Sequence, residues 1–227
     1  TSVIELSKSA LKKNFDYLNK LVGKRTKISS VVKGNAYGHG IEQYVLMADS
    51  CGIKHFSVYS ADEAFRIFNV LNNRCCIMIM GYADNNAIEW AVENNIEFFV
   101  FELDRLNRAI KTAEKVKKKA KIHIEVETGM NRTGFNKEDL KKAIALIKKN
   151  KRRVELCGVC THYAGAESVA NYYRIQKQRE KFNQHCQVLE SAGLKPKYKH
   201  TASSAAAISY PETRMDLVRI GILQYGF

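Results

Sequence analysis

The chain has 227 residues, 45% hydrophobic and 26% charged, which is enough to bury the core of one α/β domain and excludes a disordered or low-complexity polypeptide. No apolar run approaches the roughly 20 residues that span a bilayer, so a membrane protein is not expected. The formal net charge of +14 sits mainly in residues 111–121 and 141–153, where lysines alternate with Ala, Ile and Leu as on solvated helix faces; lacking interleaved aromatics, these runs predict no nucleic-acid partner, and at most steering of anionic small molecules.

The chain opens on Thr1 without the pattern of a signal peptide and reads as a piece of a longer protein. A strand is predicted over 3–6 and a helix over 8–22. From there β-branched runs alternate with amphipathic segments: strands at 28–33, 55–59, 75–80, 96–101, 121–127, 154–161, 197–201 and 215–220, with helices at 40–50, 61–71, 84–94, 103–118, 137–150, 168–191 and 203–209. That rhythm predicts a parallel α/β fold, a (β/α)8 TIM-type barrel occupying residues 1–227 as one domain and ending just after the last strand. An open doubly wound sheet would want an early GxGxxG turn, and the chain has none.

Taken in order, the first strand delivers Lys33 into the turn Gly34-Asn35-Ala36-Tyr37-Gly38-His39-Gly40. A lysine at the end of a buried strand is expected to have its pKa lowered by desolvation, which makes it a nucleophile or Schiff-base former, and Tyr37 adds a hydroxyl from the same loop. The plainer reading is a lysine snorkelling beside an ordinary turn. On strand five, His123, Glu125 and Glu127 alternate with Ile122, Ile124 and Val126; in a closed barrel the titratable face points inward, with Arg132 and Arg219 as cationic partners. On strand six, Cys157 and Cys160 form a CxxC, but residues three apart on a strand face opposite sides, so no metal clip is expected. The six cysteines follow no framework spacing, which suits reduced thiols in a cytoplasmic protein.

Barrel enzymes place their chemistry at the C-terminal ends of strands, and phosphate sites commonly follow the last two. Lys33, Arg132, His162, His200–Ser204 and Arg219–Ile222 all fall at such ends. Thr201-Ala202-Ser203-Ser204-Ala205 supplies hydroxyls and a helix start, which suits a phosphate; simple N-capping by Ser203 or Ser204 is the plainer alternative.

The stretches VVKGNAYGHG at 31–40, ETGMNRTGF at 127–135, THYAG at 161–165, HTASSAA at 200–206 and VRIGILQYG at 218–226, in that order, resemble the alanine racemase family over essentially the whole chain. The resemblance implies a pyridoxal 5′-phosphate enzyme interconverting L- and D-alanine, the latter for peptidoglycan. It further implies an N-terminal barrel, a C-terminal β domain and a homodimer acting on a small amino acid. By the same resemblance Lys33 holds the cofactor covalently and acts as acid/base on one face of the α-carbon. Tyr37 and Ser204, with the backbone N–H groups of Gly221 and Ile222, bind the phosphate. Arg219 faces the pyridine nitrogen and keeps it unprotonated; His162 hydrogen-bonds that arginine; Arg132 contacts the cofactor's phenolic oxygen and the substrate carboxylate.

Two positions depart from the common pattern. Glu125 stands where some members carry a carboxylated lysine, so no carbamate is expected, and Ser203 replaces a frequent asparagine. The family's second acid/base is a tyrosine from the partner's C-terminal domain. With the chain stopping at Phe227, the fragment is expected to bind cofactor yet racemise poorly. A stand-alone pyridoxal-phosphate-binding barrel, or a racemase for serine or a broader range of amino acids, stays open as an alternative.

Overall fold

A computed structural model describes residues 3–72 and 74–227. The described residues form eight strands: β1 (Lys27–Val31), β2 (His55–Val58), β3 (Cys76–Ile79), β4 (Glu97–Val100), β5 (Ala120–Glu125), β6 (Val154–Cys160), β7 (Tyr198–His200) and β8 (Leu217–Ile220). Their order in the sheet is β7-β6-β5-β4-β3-β2-β1-β8, and every pairing in it is parallel. The remaining seam, between β7 and β8, is drawn together by Asp216 N–H donating to the Lys199 carbonyl (3.1 Å) and Arg219 N–H donating to that of Ala202 (2.9 Å). The result is the parallel barrel that the alternating pattern predicts.

Helices α1 (Lys8–Val22), α3 (Ile41–Ser50), α4 (Ala61–Leu71), α5 (Asn85–Glu93), α6 (Leu103–Val116), α7 (Lys137–Lys149) and α8 (Tyr172–Ser191) accompany the strands, with the short α9 (Ser204–Ser209) before β8. Their starts follow local chemistry. Ser7, Asp84 and Asn136 each accept an orphan N–H of the helix they open, and Ser60 with Glu63 forms a reciprocal capping box on α4. Outward-facing strand residues such as Phe56, Ile77, Phe98, Ile122 and Val218 join apolar helix faces in one large core, while a small cluster of Met78, Phe99 and Cys160 lies inside the barrel.

Residues 3–6 are not a strand, contrary to the sequence pattern; Val3 and Ile4 are 77% and 69% exposed, and the sheet is completed without them. The first barrel strand also stops at Val31, two residues short of the lysine.

Candidate active site

The backbone beyond β1 does something a pattern of apolar residues does not announce. Within α2 (Lys33–Tyr37), Gly34, Asn35, Ala36 and Tyr37 all have φ between 53° and 61°, a single left-handed turn. Each non-glycine residue held there costs about 1–2 kcal/mol, so the turn persists only because other elements hold it. Glu63 of α4 accepts the Gly34 N–H at 2.6 Å, and the Asn35 side-chain oxygen accepts both Ile41 N–H (3.1 Å) and an Arg66 guanidinium N–H (2.8 Å). Arg66 is itself braced by Glu42. The consequence is that Lys33, exposed rather than buried as the sequence led us to expect, looks into the mouth of the barrel together with Tyr37.

That mouth is a cavity of about 840 Å³ at the C-terminal ends of the strands, and Lys33, Tyr37, Arg132, His162, Ser204, Arg219, Gly221 and Ile222 all line it. Ser204 Oγ accepts the N–H groups of Gly221 (3.0 Å) and Leu223 (3.4 Å), which leaves its own proton as the donor turned elsewhere. Tyr37 crosses above Gly221 so closely that a Cβ at that position would lie 2.6 Å from its hydroxyl. Burial raises the Tyr37 hydroxyl, so it remains a donor. Ser203 stands at the N-cap of α9, its side chain accepting no backbone N–H.

Arg219 is buried, and its Nη1 and Nη2 groups are spent on the barrel wall: His200 Nδ1 (2.6 Å) and the carbonyls of His200 (2.9 Å), Thr161 (2.8 Å) and Thr201 (3.3 Å). Burial lowers its guanidinium, which nevertheless stays a cation at neutral pH. The family resemblance implies a contact with this arginine from His162. Among the described residues no hydrogen bond joins the His162 ring to Arg219; the imidazole bonded to its guanidinium is that of His200, on strand seven. His162 instead stands near three cations: burial and then the charges of Arg219, Arg132 and Lys33 push it down to about 3, so the ring is neutral.

Strand five is divided as well. Glu125 is buried, accepts the Thr133 hydroxyl at 2.8 Å and stands 3.9 Å from the exposed Arg132; burial raises its carboxyl against the opposing pull of Thr133, Arg132 and Arg219. Glu127 lies beyond the strand and does not enter the barrel. Its carboxylate folds back onto the N–H groups of Gly129 and Asn131.

A buried chain of polar groups runs down from the mouth. His200 Nε2 meets His123 Nδ1 at 2.8 Å, and His123 Nε2 meets Glu97 Oε2 at 2.8 Å. Arg219 can only donate and the carboxylate can only accept, so both imidazoles carry their proton on Nε2 and are neutral. Burial alone would raise the Glu97 carboxyl, but His123 and the nearby His55 hold it below the ordinary range. Sequence reasoning missed His55, Glu97 and the bonding role of His200, along with Glu63 and Arg66. The available signal was parity: Ser29, His55, Ser57, Glu97 and His123 are polar residues in short β-type runs.

The sequence matches the family described as alanine racemase, N-terminal domain, over residues 6–227. It is 35% identical over 224 residues to an alanine racemase of Methanococcus maripaludis, covering 98% of this chain and 59% of that protein. Over 198 residues it is 36% identical to one of Ligilactobacillus salivarius, covering 87% and 52%. Among solved structures, the alanine racemase of Clostridium difficile 630 in complex with cycloserine superposes with a TM-score of 0.90 at 29% identity, covering 96% of this chain and 60% of that one. That of Bacillus anthracis with bound L-Ala-P gives 0.89 at 31% identity, covering 97% and 56%. The chain thus spans less than two thirds of the length of these relatives. A barrel whose lysine turn, arginine-closed mouth and serine-bearing helix start fall where the profile runs unbroken belongs to the alanine racemase family, as its N-terminal domain.

Proposed function

We propose that this domain carries pyridoxal 5′-phosphate on Lys33 and forms the cofactor-binding barrel of a racemase that interconverts L- and D-alanine. The observation that carries the reading is the convergence of one amine, Lys33, with an anion-binding corner and two arginines on a single cavity. The residues fit the cofactor. The Ser204 hydroxyl, oriented by the Gly221 N–H, the Tyr37 hydroxyl and the backbone N–H of Ile222 supply uncharged donors for a phosphate. Bound there, the cofactor supplies an electron sink for the carbanion formed when the α-proton leaves.

The protein's own groups do the rest. Lys33 moves a proton on one face of the α-carbon once its amine is free. Arg219, fixed by the barrel wall, cannot accept a proton, so a ring nitrogen facing it stays unprotonated and side reactions of a long-lived carbanion are restrained. Arg132, held near Glu125, offers its guanidinium to a substrate carboxylate. Met80, Phe99 and Phe101 line the cavity with apolar surface that limits water. Cycloserine and L-Ala-P in the solved relatives support a site for small amino acids. A homodimer and a role in supplying D-alanine to the cell wall rest on the family likeness.

The test is to load the protein with pyridoxal 5′-phosphate, reduce with borohydride and map the adduct by mass spectrometry. The adduct is expected on Lys33 and to vanish in Lys33→Ala; an adduct surviving that change refutes the assignment. Adduct formation without isomerisation of alanine by the full-length protein favours a cofactor carrier instead.

A further inference from the structure

The floor of the barrel, at the opposite end from Lys33, holds reactive groups that the mouth does not use. His55, Cys76 and Glu97 are the first residues of β2, β3 and β4, and one ligand atom from each lies within 4.8 Å of the others. Glu97, His123 and Cys157 form a second, overlapping trio within the same limit. Cys157 reaches the interior through a β-bulge. The pairing of β5 with β6 slips between Ile122 and His123, so that Cys157 and its neighbour Gly158 both address His123 instead of alternating.

The telling atom is His55 Nε2. The residue is 1% exposed and its Nδ1 is bonded to Ser29 Oγ at 2.8 Å, yet Nε2 is buried with no hydrogen-bond partner among the described residues. It stands 3.6 Å from Glu97 Oε2, too far for a hydrogen bond. It is close to the ligand-to-ligand edge of a tetrahedral zinc, about 3.3 Å for metal–ligand bonds near 2.0 Å.

We propose that the floor is a binding site for a zinc-class divalent cation, held by His55 Nε2, Cys76 Sγ and a Glu97 carboxylate oxygen. Thiolate with imidazole selects such an ion over magnesium or calcium, which prefer oxygen. Tyr198 closes the floor, its ring edge-on to His55 and its hydroxyl accepting from Lys27. Binding exchanges the Cys76 S–H bond for a sulfur–metal bond and releases the proton to solvent. The ion ties three strands together at one point.

The experiment titrates chelator-treated protein with Zn²⁺ alone and with Co²⁺ alone. Expected are one ion per chain, a thiolate-to-cobalt charge-transfer band, and visible bands of tetrahedral cobalt. Cys76→Ser and His55→Gln each weaken binding by about tenfold or more, with circular dichroism confirming that the variants fold, while Cys51→Ser binds as the parent does. Absence of uptake by the unaltered protein, uptake without a thiolate band, or uptake undiminished in both Cys76→Ser and His55→Gln overturns the proposal.

Discussion

At position 158 the space that any side chain would need is taken by two imidazoles. A Cβ there runs into His123 Nδ1 and comes within 3.0 Å of His200 Nε2. Gly158→Ala is expected to lower the stability by about 1–3 kcal/mol, read from the urea midpoint, because the rings must part. An unchanged midpoint would mean that the pair slides aside freely. His162 makes a second prediction, of opposite chemistry. Its folded value of about 3 lies below the unfolded value of about 6.5. The neutral ring therefore favours the fold fully above about pH 6.5, and that contribution is withdrawn as the pH falls toward about 3. Over that window the protein should lose roughly 1 kcal/mol per pH unit relative to His162→Gln. Parallel stability curves for the two proteins would remove this account. Glu125 runs the other way: with its carboxyl raised, Glu125→Gln should gain stability over the parent as the pH climbs through the carboxylate range and match it in acid.

Among the elements, the lysine turn is where local pattern and structure part company. That Lys33 and Tyr37 share a loop was legible, since glycines at 34, 38 and 40 advertise unusual backbone. Its handedness was not, because Asn35 and Ala36 adopt φ of 54° and 55° under the control of a helix nearly thirty residues away, through the bond from Gly34 to Glu63. The same carboxylate completes the capping box at Ser60. Glu63→Ala should thus loosen two elements at once, costing about 1–3 kcal/mol and slowing borohydride-trapped capture of the cofactor at Lys33. Capture at the parental rate would show the turn to be self-supporting. The false strand at 3–6 failed for the reverse reason: Val3 and Ile4 have the composition of a strand but no partner, and β propensity without a neighbour does not build a sheet.

For the molecule as a whole, the eightfold alternation was the strongest signal in the sequence, because each strand of a parallel barrel must be followed by something long enough to return. The motifs at strand ends were legible for the same geometric reason, and they converge on one cavity. The polar interior was not. Which residues meet across it depends on stagger between strands and on the slip beside His123, neither of which is written in any one segment. One residue contributes twice to closure: Asp216 gives its N–H to the Lys199 carbonyl, and its side chain takes the Lys199 N–H at 2.8 Å. Asp216→Ala should accelerate amide exchange at Lys199, where β7 meets β8, while leaving β3 and β4 protected. Uniform acceleration would show the seam to be no weaker than the rest.

The two neutral imidazoles between Arg219 and Glu97 also give the barrel a sense of direction. Each bears its hydrogen on the side away from the arginine, so their dipoles add head to tail along the chain. Turning one ring over would set lone pair against lone pair or hydrogen against hydrogen, which makes reversal an all-or-none event for both. The guanidinium and the carboxylate dictate the same orientation from opposite ends, and removing either leaves the other in sole command of it.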